Sequence, residues 1–175
     1  MEQARLGEEP EAMKPFETSR VFDVARDRMW KAWTEAEHLK RWWGPKGFTV
    51  KRLRIDLRPG GTMHYCLGMP DGKEMWGKFR YREVKPMERL VFISSFSDAE
   101  GGTTRHPLNP AWPLEMATTI AFEDAGPGKT RVTVHWLPAP ESTGVERKTF
   151  DEGRESMKMG WGGTLEQLGA FLTKG

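Results

Sequence analysis

The sequence contains a single cysteine, Cys66, so no disulfide can close within the chain. A reducing, cytoplasmic setting and a buried, inert thiol are expected. No apolar run approaches the roughly 20 residues a bilayer-spanning helix needs, so no membrane insertion is expected. Charge of one sign is missing too. Lysine plus arginine number 27 against 25 aspartates and glutamates, and a net charge of +2 gives no reason to invoke nucleic acid. A local excess, Lys40, Arg41, Lys46, Lys51, Arg52, Arg54 and Arg58, reads as a solvated face, because alternating strand positions send charges outward.

Motifs of chemistry are absent as well. His38, His64, His106 and His135 have no metal-site spacing, and one cysteine cannot supply a zinc set. There is no Gly-x-Ser-x-Gly elbow, and no carboxylate pair identifies itself as acid and base. Gly126-Pro127-Gly128-Lys129-Thr130 ends like a phosphate loop, but Glu123 stands where that pattern needs glycine, and a strand follows instead of a helix. Hence no catalytic residue, no metal and no cofactor are expected. Residues 1–15 are acidic, without the basic and apolar regions of a signal peptide. They read as a disordered tail ahead of one domain over 16–175.

What is present is periodicity. Phe16 to Ala25 alternates as a strand, and Asp27 offers an N-cap to a short helix carrying Trp30, Ala32 and Trp33. A second short helix, Ala36 to Trp43, ends at Gly44-Pro45. It closes on two adjacent tryptophans, and successive helical residues point about 100° apart, so Trp42 and Trp43 face different surroundings. Phe48 and Val50 then fall on one parity and Leu53, Ile55 and Leu57 on the other, which predicts a bulge near Lys51-Arg52. After the Pro59-Gly60-Gly61 turn, Met63, Tyr65, Leu67 and Met69 share one face, and Asp71-Gly72 makes a hairpin.

Further strands are predicted over Glu74–Val84, Arg89–Phe96, Leu114–Glu123 and Thr130–Leu137. Their core sets are Leu90, Phe92 and Phe96; Met116, Ile120 and Phe122; Val132, Val134 and Trp136. Between them, Ser97–Pro113 has the length typical of a lid or binding loop. From Val145 onward, Phe150, Gly153, Met157, Trp161, Leu165, Leu168 and Leu172 recur at helical steps and predict one long helix. The whole reads as an α+β antiparallel sheet of about seven strands, one face covered by that helix. Gly160, Gly162 and Gly163 each weaken a helix by about 0.5–1 kcal/mol relative to alanine. The expected compensation is either close approach to a neighbour or room for a ligand beside Trp161 and Met157.

Trp30…Trp33-Thr34, Trp42-Trp43-Gly44-Pro45, Pro59-Gly60-Gly61 and Gly160-Trp161 together give the chain a family likeness. It resembles the homologues of the activator of the heat-shock-protein-90 ATPase, within the SRPBCC group of lipid-transfer-like and birch-pollen-allergen-like domains, over roughly Phe16 to Leu172. The resemblance implies a helix-grip fold, a curved antiparallel sheet around a C-terminal helix with two short helices closing one end. Domains of that kind hold hydrophobic small molecules, and a few relatives are cyclases, hydrolases or dehydratases. The activators carry an additional N-terminal domain that makes much of the chaperone contact. Only fifteen residues precede Phe16 here, which counts against direct chaperone activation.

The leading functional expectation is a small apolar or aromatic ligand between sheet and helix, without defined catalysis. Its contacts on the strands would be Tyr65, Leu67, Phe79, Phe92, Met116, Thr118 and Val134, with Met157 and Trp161 on the helix. Trp42 and Trp43, at the mouth, complete the set, one of them covering the opening. A second expectation is a co-chaperone-like or homodimeric interaction module using Trp112, in the long loop. A third is a cyclase- or hydrolase-type enzyme on a polyketide-like substrate. Against it, strand parity turns His64, His135 and Glu115 away from Tyr65, Val134 and Met116, and so outward.

Overall fold

Strand alternation and two breaks in helical periodicity set the element order. In the computed structural model, which describes residues 13–174, strand β1 (Phe16–Phe22) leads into helices α1 (Arg26–Thr34) and α2 (Ala36–Trp42). Four strands follow: β2 (Thr49–Ile55), β3 (Thr62–Gly68), β4 (Glu74–Lys85) and β5 (Arg89–Ser97). A two-residue strand β6 (Thr103–Thr104), then β7 (Met116–Asp124) and β8 (Thr130–Pro138), complete the sheet. Helices α3 (Gly144–Glu152) and α4 (Arg154–Thr173) end the chain. Most of the expected tail at 1–15 lies outside the described residues. Its last part is tied down: Met13 packs on the core, and Arg154 donates to the carbonyls of Lys14 and Pro15.

The sheet runs β1-β8-β7-β5-β4-β3-β2, antiparallel throughout, with β6 paired to β5. Because β1 and β2 lie at opposite edges, α1 and α2 carry the chain from one edge to the other. The bulge expected near Lys51-Arg52 is present as a register shift between Val50 and Arg52. A second shift, between Tyr81 and Glu83, sits in the long strand β4, where an extra residue increases twist and bends the sheet. Met29, Trp33, Leu39, Met63, Leu90, Ile120, Val132 and Leu168 are almost fully buried between the curved sheet and the helices. This is the helix-grip architecture.

Three local expectations change. Strand β1 stops at Phe22, and α1 begins at Arg26 with Ala25 as its N-cap and no side-chain cap. Asp27 lies inside the first turn, where its negative charge favours the positive helix end and its carboxylate accepts from the Arg28 N–H at 2.8 Å. Phe96 is only half-buried, covered by the His106 ring at 4.6 Å. The single long helix is two, because Gly153 caps α3 with its N–H directed at the carbonyls of Thr149 and Phe150. A methyl group at position 153 would lie 3.2 Å from the Trp112 ring, which fills the space beside the break.

Gly160, Gly162 and Gly163 do not bring α4 close to the sheet. An added Cβ at Gly160 or Gly162 would meet nothing within 4 Å, and at Gly163 it would make ordinary contact with Lys46 at 3.5 Å. Gly160→Ala is therefore expected to stabilise the fold by about 0.5–1 kcal/mol. Its denaturation midpoint compared with that of the parent protein checks this, and a lower midpoint would show a need for glycine at that position.

Candidate functional site

The inner face of the sheet is built by alternation. On β3 it carries Met63, Tyr65 and Leu67; on β4, Gly77, Phe79 and Tyr81, in register with Tyr65, Met63 and Gly61 respectively along the β3 side. Phe92 and Ser94 continue it on β5, opposite Thr118 and Met116 of β7, and Trp136 of β8 pairs with Thr118. Above this surface lie Met157 and Trp161, one helical turn apart on the buried side of α4.

Trp43 enters from the end of α2. The turn that holds it is docked on α4 by Gln167, whose side-chain amide donates to the carbonyls of Gly44 and Pro45 at 2.9 and 3.1 Å. The two adjacent tryptophans do face different surroundings. Trp42 is packed edge-on against Trp33 at 4.8 Å, and its indole N–H donates to the Ala32 carbonyl at 2.8 Å. Trp43 instead reaches Phe79 at 5.2 Å, Tyr65 at 5.7 Å and Trp161 at 6.2 Å.

The structure thus joins Trp43, Tyr65, Phe79, Phe92 and Trp161 in one aromatic cluster, with Phe79 stacked on Phe92 at 3.9 Å. Met116 and Thr118 border it, the Thr118 hydroxyl lying 3.2 Å from that of Ser94. Met157 is buried one turn before Trp161. Three expected residues belong elsewhere. Trp42 is occupied by Trp33 and Ala32, Leu67 packs over Gly44, and Val134 is fully buried between Thr18 and Ile120 in the register. They shape the core and take no part in the cluster.

Two positions missing from the expected set lie beside the cluster. Ser94 could have been found from its parity with Phe92. Gly77 could not, since its role depends on pairing: a Cβ there would lie 2.4 Å from the Tyr65 phenol oxygen, so only glycine lets that ring lie across β4. Trp136, expected only as core, stands at 90° to Trp161 with ring centres 5.8 Å apart. Trp112 closes the same end, 5.9 Å from Trp136 and 6.2 Å from Phe150.

The long loop is held over that end by Glu146, which is 5 % exposed. One carboxylate oxygen accepts from the Thr143 N–H at 2.9 Å; the other accepts from the Leu114 N–H and from Arg105 at 2.8 Å. Thr143 returns the bond by accepting from the Glu146 N–H, a capping box at the start of α3. Burial alone would raise the Glu146 carboxyl, but hydrogen bonds from Thr143, Leu114 and Arg105 outweigh it and hold the group down at about 2.

The electrostatics of the inner face are those of a neutral surface. Burial pushes the Tyr65 phenol up to about 12, opposed by the Trp43 indole N–H near its oxygen, and Tyr81 is raised further by burial. His64 lies on the outer face, its ring stacked on Trp76 at 4.9 Å and its Nε2 3.1 Å from the Ser97 hydroxyl. Glu115 pairs with Arg80 at 3.1 Å. His135 sits opposite Thr119 and Glu17 in the register, out of phase with Val134. Cys66 is buried on the outer side, donates to Glu74 at 2.9 Å, and is pushed up to about 11 by burial and by that carboxylate.

Two clefts of about 390 and 330 Å³ run along the outside between α2 and the last turns of α4, over Arg41 and Phe171. Neither is lined by the aromatic cluster. Among the described residues no group of three or more His, Cys, Asp or Glu could hold a metal, and no helix is long and apolar enough to cross a membrane.

Comparison with known proteins agrees with the fold. No curated protein matches the chain. A solved structure from Nitrosomonas europaea is 26% identical, with 94% of this chain and 97% of that one covered and a TM-score of 0.72. A solution structure from Arthrobacter aurescens reaches the same TM-score at 23% identity, covering 95% and 91% of the two chains. The AHSA1 protein from Silicibacter pomeroyi, 20% identical, has a TM-score of 0.68 over 91% of this chain and 98% of that one. The model of the family described as activator of Hsp90 ATPase homolog 1-like protein matches residues 23–173. With the helix-grip sheet, the paired tryptophans at the end of α2 and the Gly160-Trp161 step of α4 all in place, the chain belongs to that family.

Proposed function

We propose that this protein holds a small hydrophobic or aromatic molecule between the inner face of its sheet and α4. The observation that carries this reading is the aromatic cluster Trp43, Tyr65, Phe79, Phe92 and Trp161, which brings together residues from five separate segments and is bordered by two methionines and two hydroxyls. Pockets for small ligands have this composition, apolar walls with a few placed polar groups, and methionine thioethers at positions 116 and 157 can repack around different shapes. The absence of an acid–base pair from the inner face favours binding over turnover. Trp112, the side chain considered for a protein partner, is used within the fold, against Trp136 and Phe150. The lone Cys66 supports a cytoplasmic setting for this function.

Native mass spectrometry on gently purified protein tests the reading. A discrete adduct that disappears on denaturation is the expected result, and its mass narrows the ligand. A clean monomer mass that stays clean when hydrophobic aromatic compounds are added would overturn it.

A further inference from the structure

The cluster contains an anomaly. Trp33, Trp43 and Trp136 each bury an indole N–H with no hydrogen-bond partner in the protein, whereas the neighbouring Trp42 has one. Trp43 is the telling case: it is 8 % exposed, stands edge-on to both Tyr65 and Trp161, and has the Tyr65 oxygen as its neighbouring acceptor without reaching hydrogen-bond geometry with it. Buried donors are nearly always satisfied, because a donor removed from water without an acceptor is destabilising. An indole nitrogen can only donate, so whatever satisfies it must bring an acceptor.

We propose, on the basis of the sheet–helix ligand site argued above, that its ligand is a neutral planar molecule carrying a carbonyl or equivalent acceptor oxygen, received by the Trp43 indole N–H beside the Tyr65 hydroxyl. Three observations restrict the class. First, a pure hydrocarbon would leave the Trp43 donor as it is. Second, among the described residues the buried polar and charged side chains are Thr34, Ser97, Thr118, Thr130, Glu146 and Thr164, none of them cationic. A carboxylate or phosphate held against the cluster would lose its water without gaining a counter-charge, which disfavours anions. Third, the Tyr65 phenol stays protonated through the physiological range and can donate a second hydrogen bond to the same oxygen. The ring faces of Trp43 and Trp161 suit a flat ligand skeleton.

Three probes on one skeleton separate these classes: fluorene, 9-fluorenone and fluorene-9-carboxylate, measured by equilibrium dialysis at neutral pH. Fluorenone is expected to bind about three- to tenfold tighter than fluorene, the factor one added hydrogen bond of ordinary strength supplies, with the carboxylate weakest. In Trp43→Phe the fluorenone-to-fluorene ratio should fall towards one, because packing changes affect both probes alike. Tyr65→Phe gives the same readout if the tryptophan variant folds poorly. Equal binding of fluorene and fluorenone would overturn the acceptor inference while leaving the ligand site standing. Tightest binding of the carboxylate would replace the neutral class with an anionic one. Failure of all three to bind would overturn the site and the inference together.

Discussion

Replacing Glu146 by glutamine is expected to destabilise the protein by about 2–3 kcal/mol and to loosen the loop carrying Trp112 before the sheet itself melts. The carboxylate receives donors at both oxygens, Thr143 on one side and Leu114 with Arg105 on the other. A glutamine keeps one acceptor and turns an NH₂ towards donors on the remaining side, so at least one buried N–H loses its partner. Urea denaturation gives the stability difference, and hydrogen exchange at residues 105–114 locates it. Unchanged exchange in that segment would show that Glu146 does not hold the loop.

The same group predicts an acid transition. Its folded value of about 2 lies below the ordinary carboxylate value of 4.5. Above pH 4.5 the carboxylate is ionised in folded and unfolded chains alike, and its contribution is complete. As pH falls from there towards 2, the unfolded chain takes up the proton first, and the contribution is lost. A shift of this size corresponds to stability on the order of 3 kcal/mol. Parent and Glu146→Gln curves of stability against pH should therefore converge as pH falls through that window. Curves that stay parallel would assign the acid sensitivity to other carboxylates.

The legibility of this chain in its sequence follows the range of the forces involved. One-sided burial forces alternation, so Met63 and Leu67, Phe92, Met116 and Ile120 fall on the core face where their parity puts them. The parity switch after Val50 is most simply reconciled by a bulge, and one is there. Local chemistry also carried a signal that periodicity obscured: Thr143-Gly144-Val145-Glu146 has the Thr-x-x-Glu spacing of a capping box and marks the start of α3. The break at Gly153 had no such signal, because Trp112, which occupies the space beside it, arrives from a loop far away in sequence. The site divides in the same way. Its aromatic members could be read from strand parity, but which of them touch depends on how β3, β4 and α4 curve around each other. Val134 and Leu67 have the right parity and still lie outside the cluster.

The paired tryptophans give the second large effect. Trp42→Ala is expected to cost about 3–5 kcal/mol, since it empties a site that is 2 % exposed, removes an edge-on contact with Trp33 and leaves the Ala32 carbonyl without its indole donor. The phenylalanine variants separate the two rings more sharply. Trp42→Phe loses both volume and a hydrogen bond, for about 2–3 kcal/mol, whereas Trp43→Phe loses volume alone and removes a donor that has no partner. Trp43→Phe should therefore be milder by roughly the value of one buried hydrogen bond, about 1 kcal/mol. Denaturant midpoints of the two variants, taken with ligand-free protein, decide it. Equal losses would mean that the Trp43 N–H is satisfied in solution, and with that the division between a structural ring and a ring left available to a ligand would disappear. Unequal losses in the expected order would explain why two tryptophans stand side by side: one fixes the end of α2 to α1, and that fixed end holds the other over the sheet.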